Sequence, residues 1–163
     1  MADALNDHRA ATEPQSTAPL PGKAVGNSAD AIWLFDGVCV LCSGSVQYTL
    51  RHERGPTIRF VAIQSAEGRD LAHAHGIDPD NPDSFLFIEG GRALAKSDGV
   101  IALSRHLSGP ASWLRRARIL PRFLRDGLYD LVARNRYRLF GKKVSCTLPD
   151  PAQRHRFTLP DSP

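Results

Sequence analysis

Two cysteines three positions apart, Cys39 and Cys42, follow directly on the apolar run Ala31-Ile32-Trp33-Leu34-Phe35, which Asp36-Gly37 interrupts. An unbroken apolar run of this length fits a strand buried on both faces of a sheet. A helix is predicted to follow from about Cys39 to Glu53, ended by Gly55-Pro56. The thiol pair therefore sits at a strand-to-helix junction. A helix N-terminus there favours the anion of the first thiol. Cysteines one helical turn apart can close into a disulfide and reopen, and CxxC in such a context reads as a redox motif.

Helical periodicity puts Cys42, Val46, Thr49 and Leu50 on one stripe, with Cys39, Ser43 and Gln47 starting the more polar side. Cys39 is thus predicted to be the accessible thiol and Cys42 the sheltered one. Disulfide exchange needs a thiolate. Cys39 would attack a substrate disulfide, and Cys42 would attack the mixed disulfide to release the reduced product. Asp36 has the wrong charge to stabilise a thiolate. Two roles fit it: general base for Cys42, or cap of the turn into the helix through backbone N–H groups.

The other elements follow from the same signals. Thr57–Ile63 reads as a second strand, and a helix from about Ser65 to Ala74 stops at Gly76. Asp78–Pro82 is a turn cluster. Ser84–Ile88 and Ala93–Ala95 form an antiparallel hairpin around Gly90-Gly91. Ser97 or Asp98 can cap a helix running to about Leu107. Two more helices are predicted, about Ala111–Leu120 and Pro121–Phe140, the second with Leu124, Leu128, Leu131, Val132 and Leu139 facing inward. The order β-α-β-α-β-β-α predicts an α/β fold with a thioredoxin-like core (βαβ plus ββα) and a C-terminal helical extension.

At 163 residues the chain suits one domain with loose ends. Residues 1–29 are polar and aperiodic and are expected to be a disordered tail. The domain spans 30–146, and 147–163 is a loosely held extension. The chain has three cysteines, an odd and sparse set unlike a secreted disulfide framework. The N-terminal residues show no signal-peptide pattern, and no apolar run nears the roughly 20 residues that span a bilayer. A reducing cytoplasm and no membrane are therefore expected. Cys146, the third cysteine, reads either as a further redox thiol or as a packed core cysteine.

The net charge is +4, with arginines and lysines crowded between Arg115 and Lys143. They read as a solvated helix face, or as a surface for an anionic partner. No DNA- or RNA-binding signature is present.

The run Phe35-Asp36-Gly37-Val38-Cys39-Val40-Leu41-Cys42 resembles the signature of the DCC family of thiol-disulfide oxidoreductases. The likeness extends through Pro82–Leu86, Ser97-Asp98-Gly99 and the block Leu128–Gly141 with its Asn135-Arg136-Tyr137-Arg138, and covers roughly residues 30 to 157. The resemblance implies a thioredoxin-like redox fold. Two departures from thioredoxins stand out. Their cis-proline precedes the third strand, whereas Asp83 holds that position here and Pro82 lies one residue earlier. The residues between the cysteines are Val40-Leu41 rather than Gly-Pro.

The expected function is thiol-disulfide exchange, in the direction of protein-disulfide reduction, carried by Cys39, Cys42 and Asp36. The substrate would be a disulfide-bearing protein or a small thiol compound. Electrons would come from another dithiol or glutathione, with no bound cofactor. Two alternatives use the same fold without this activity. One is a metal module, for which the pair supplies half a zinc site. His73 and His75 point to different sides of their helix and are poor joint ligands. The other is an inactive module that binds a partner through its basic helices.

Overall fold

The computed structural model describes residues 31–143 and 150–160 of the chain. The apolar run forms β1 (Ala31–Phe35), which lies parallel to β2 (Ile58–Ala62) with Ala31 opposite Ile58 and Phe35 opposite Ala62. On its other side β1 pairs antiparallel with β3 (Leu86–Glu89), and β3 pairs antiparallel with β4 (Arg92–Ala95). A short β5 (Phe157–Thr158) lies parallel along the outer edge of β2. Among the described residues the sheet order is β4-β3-β1-β2-β5. The helices are α1 (Val40–His52), α2 (Ala66–Ala74), α3 (Lys96–Arg105) and α4 (Arg122–Phe140). The β1-α1-β2 half followed by β3-β4-α3 is the thioredoxin-like core expected from the sequence.

β1 is buried on both faces because its alternating side chains feed two cores. Trp33 and Phe35 join Val46 of α1, Phe60, Phe87 and Leu103 of α3 in one cluster. Leu34 joins Val61, Ile63, Ala72 of α2 and Leu86 in the other. Burying each such large side chain contributes about 1.5–3 kcal/mol. On the α2 face the approach is close enough to require glycine. A Cβ on Gly68 would lie 2.0 Å from the Ala62 carbonyl oxygen.

Three expectations need correction. The apolar stripe of α4 does not face inward: Leu128, Leu131 and Leu139 are each more than 60% exposed. The helix instead turns Arg125, Tyr129, Ala133 and Arg136 toward the domain. Arg125 Nη2 pairs with Asp98 at 2.7 Å, the Tyr129 hydroxyl accepts from the Phe85 N–H at 3.2 Å, and Arg136 donates to the carbonyls of Pro82 and Ala133. These fixed polar partners orient the helix, whereas hydrophobic periodicity alone weighs only its leucines.

The second correction concerns the connector before α4. It is a 3-10 helix, Pro110–Ile119, and contributes no buried residue. The third concerns α3, which starts after Ala95 with no side-chain cap, so Ser97 and Asp98 lie within its first turn.

The C-terminal extension is not loose where it is described. A 3-10 helix, Pro151–Arg156, leads into β5, and Arg156 is buried. Its guanidinium donates to the carboxylate of Glu53 and to the Ile58 carbonyl oxygen at the edge of β2. Residues 1–29 and Cys146 lie outside the described residues. Among those described, no helix is long and apolar enough to cross a membrane.

Candidate active site: the Cys39–Cys42 turn

β1 ends at Phe35, whose carbonyl oxygen accepts from the Ile63 N–H at 2.9 Å. The chain then turns through Asp36-Gly37-Val38. Asp36, 5% exposed, accepts from the Val38 N–H at 3.1 Å, which closes an Asx-type turn. Gln64, two residues beyond β2, grips the Asp36-Gly37-Val38 turn twice. Its amide nitrogen donates to Asp36 Oδ1 at 2.8 Å and its oxygen accepts from the Gly37 N–H at 3.0 Å. Asp36 thus braces the turn ahead of the helix. The N-cap itself is Cys39, whose Sγ accepts from the Cys42 N–H at 3.3 Å. The sulfur takes the place that a serine or aspartate oxygen holds at most N-caps, facing the unpaired donors of the first turn.

This arrangement separates the two thiols electronically. The hydrogen bond from the Cys42 thiol, helped by the Cys42 amide, lowers the Cys39 pKa to about 6, against the opposing effects of burial and of the Asp36 charge. Cys42 moves the other way, well above the usual thiol range. It gives its hydrogen bond to Cys39, its partial burial disfavours the thiolate, and it faces the Cys39 charge. Both cysteines are free thiols.

Accessibility is the reverse of the prediction. Cys39 has no exposed surface, and Cys42 is only half-buried. Two features cover Cys39. The buried stripe of α1 runs through Ser43, Val46 and Thr49, so the helix is rotated relative to the predicted stripe and carries Cys39 inward. The chain leaving α4 also lies against the turn as an antiparallel bridge between Cys39 and Lys142. The Lys143 N–H donates to the Val38 carbonyl at 2.7 Å, and the Val40 N–H donates to the Gly141 carbonyl at 3.4 Å.

Two residues of α4, neither among the site residues expected from the sequence, complete the site. The Tyr137 hydroxyl donates to Asp36 Oδ2. Burial, and then this bond to a carboxylate, push its pKa up to about 12, so it remains a donor. Arg136, only 8% exposed, donates to the Tyr137 oxygen at 3.0 Å and stands 3.5 Å from Asp36 Oδ2. Its positive charge favours ionisation of both thiols. From the sequence, Arg136 belongs to the basic stretch that reads as a solvated helix face or as a surface for an anionic partner. The available signal was its place in the Asn135-Arg136-Tyr137-Arg138 block that carries the family resemblance.

Pro82 is buried, and its carbonyl oxygen accepts from Arg136. Among the described residues no peptide bond is cis. Also among them, no three of His, Cys, Asp and Glu gather as a metal site, and His73 and His75 join no such group.

The model of the DCC1-like thiol-disulfide oxidoreductase family matches residues 33–142, which contain both cysteines, Asp36, Gln64, Arg136 and Tyr137. The chain is 41% identical over 126 residues, 77% of its length and 92% of the relative's, to the uncharacterized protein YuxK of Bacillus subtilis (strain 168). It is also 41% identical over 118 residues, 72% of its length and 69% of the relative's, to an Arabidopsis thaliana protein described as the DCC family protein At1g52590, chloroplastic. No solved structure matches it. The chain belongs to the DCC1-like thiol-disulfide oxidoreductase family, and the general chemistry of that family is exchange between thiols and disulfides.

Proposed function

We propose that the chain is a protein-disulfide reductase in which Cys39 attacks and Cys42 resolves. The supporting observation is the asymmetry of the pair: the N-capping sulfur of Cys39 gathers two donors from Cys42, while Cys42 keeps its proton. In the first step the bridge between Cys39 and Lys142 opens, and the uncovered Cys39 thiolate attacks one sulfur of a substrate disulfide. A Cys39–substrate disulfide forms, and the other substrate sulfur leaves as a thiolate and takes a proton from solvent.

That step consumes the negative charge on Cys39. Two of the causes that hold the Cys42 pKa high, its bond to Cys39 (the largest) and the charge on that sulfur, then weaken, while burial continues to act. Cys42 loses its proton to solvent and attacks Cys39. The second substrate sulfur leaves and is protonated. Two electrons have passed to the substrate, and the enzyme holds a Cys39–Cys42 disulfide. A second dithiol, or glutathione, re-reduces it in a reducing compartment such as the cytoplasm, and no bound cofactor is needed. Asp36 acts as a positioning residue, holding the turn rather than accepting a proton, since its carboxylate oxygens are taken up by Val38, Gln64 and Tyr137.

Trapping tests this reading. The Cys42→Ser variant should accumulate mixed disulfides through Cys39, which mass spectrometry of a non-reduced extract identifies. If Cys39→Ser accumulates as many and the native protein reduces no test disulfide, the assignment fails.

A further inference from the structure

All eleven exposed large apolar side chains among the described residues lie between Trp113 and Phe140, on the Pro110–Ile119 helix, on α4 and on the joint between them. Both helices pack against α3. Their apolar sides meet, because Leu114 of the first and Leu128 and Val132 of α4 line one cavity of about 540 Å³. Along α4 the exposed Leu124, Leu128, Leu131 and Leu139 form one stripe, and Arg134 and Arg138, one turn apart, run beside it. The exposed apolar residues thus form a surface rather than scattered points, and a surface of this kind marks an interaction site.

Its charge has one sign. Arg115, Arg116, Arg118, Arg134, Arg138 and Lys142 are all exposed. Between Trp113 and Lys143 the chain has only two acids, Asp126 and Asp130. Both are half-buried and engaged with the rest of the domain: Asp126 accepts from Ser97 and stands 3.4 Å from Arg122, and Asp130 pairs with Lys96 at 2.9 Å. The surface therefore offers apolar side chains and free cations to a partner, and no exposed carboxylate.

We propose that this surface docks on an anionic lipid bilayer. Trp113, Phe123 and the leucine stripe enter the boundary between headgroups and acyl chains, and the arginines pair with lipid phosphates. Leucines and aromatics on one side with arginines alongside are the composition of helices that lie in a membrane interface, which needs no spanning segment. Each cation near such a surface adds to the attraction. A second copy fits less well, because a two-fold contact sets the same cations against one another. Nucleic acid would leave the aliphatic side chains in water. The surface ends at Phe140, two residues before the Lys142 bridge over Cys39, so a docked molecule holds the thiol turn close to the lipid.

The test floats the reduced full-length chain with vesicles of phosphatidylcholine and phosphatidylglycerol in equal parts, and with vesicles of phosphatidylcholine alone. Partitioning at least tenfold stronger onto the anionic vesicles is expected. Most of that preference should disappear in about 1 M salt, where screening cuts the electrostatic reach to about 3 Å. Emission from Trp113, 68% exposed, should shift to the blue as the ring leaves water, while Trp33 is already in the core.

Two double variants locate the contact. Phe123→Gln with Leu131→Gln removes apolar contact, and Arg134→Gln with Arg138→Gln removes charge. Each should weaken partitioning at least tenfold with Tm unchanged, since all four side chains are exposed and glutamine is a good helix former. Failure to float with anionic vesicles overturns the proposal. So does equal partitioning onto phosphatidylcholine alone, or full partitioning by either double variant. A dimer in sedimentation equilibrium that the Phe123→Gln, Leu131→Gln variant dissociates assigns the face to a second copy and overturns it as well. Docking needs neither thiol to react. Cys39→Ser should float as the native chain does while losing disulfide reduction, which keeps a failure of this surface distinct from a failure of the reductase reading.

Discussion

The Tyr137 hydroxyl donates to the carboxylate of Asp36, tying the end of α4 to the turn that carries Cys39 across 101 residues of sequence. A hydrogen bond to a charged group contributes about 1.5–3 kcal/mol, and removing the donor leaves part of a buried carboxylate unpaired. Tyr137→Phe is therefore expected to lower stability by about 1.5–3 kcal/mol in urea denaturation. A loss under about 0.5 kcal/mol would show that Val38 and Gln64 suffice to hold Asp36.

The pH dependence of Cys39 has a definite sign. With its folded pKa near 6, its rate of alkylation by iodoacetamide should rise with a midpoint near pH 6, against about 8.5 for a free thiol. Stability follows by linkage. A depressed acid pKa contributes stability that is fully present above the unfolded value and is lost as pH falls through the folded one. The reduced protein should thus gain stability from about pH 6 to 8.5, by at most about 1.4 kcal/mol per pH unit. Cys42, whose folded pKa is raised, reverses the trend above about pH 8.5. Chemical denaturation of the reduced chain, with Cys39→Ser as control, checks both limbs; identical profiles for the two proteins would contradict them.

The bridge over Cys39 governs access to its sulfur. Lys143→Pro removes the N–H that donates to the Val38 carbonyl at 2.7 Å. Alkylation of Cys39 at fixed pH should become several-fold faster, with the midpoint near pH 6 unchanged. A shifted midpoint would mean that the bridge tunes the thiol rather than covers it.

The Glu53–Arg156 pair is almost fully buried and anchors β5 to the core. Removing one partner of such a pair costs about 3–5 kcal/mol, because the other charge is left without compensation. Arg156→Met should therefore lower stability by that amount. An effect below about 1 kcal/mol would show that the C-terminal segment adds little to the fold.

Gly68→Ala puts a methyl group 2.0 Å from the Ala62 carbonyl oxygen, so α2 must move away from the sheet. Overpacking of this kind costs about 1–3 kcal/mol or more. An unchanged Tm would contradict the close approach.

The core was legible because its signals are local. The apolar run 31–35, the Asp36-Gly37 break and the glycine pair at 90–91 each mark a boundary through backbone or solvation preferences that neighbouring residues do not alter. The thiol pair was legible for the same reason. The covering of Cys39 was not, because it depends on a bridge to Lys142, more than a hundred residues away in sequence. The orientation of α4 was hidden by its composition. Leucine spacing marks one face, but the half-buried Arg125 and the buried Arg136 are held by bonds to Asp98 and to the Pro82 carbonyl oxygen, partners no pattern within the helix reveals. The docking of Arg156 is not legible in the sequence, because a short strand after a polar stretch has the composition of a tail and its partner Glu53 lies 103 residues earlier.

That ion pair also bears on how the chain is made. Arg156 is translated 103 residues after Glu53. At about 5–20 residues per second, the carboxylate emerging with α1 waits roughly 5–20 seconds for its counterion. Until then the nascent polypeptide shows an open outer strand to whatever lies near the ribosome, and the acid at the foot of α1 can stay solvated, delaying its commitment to the interior.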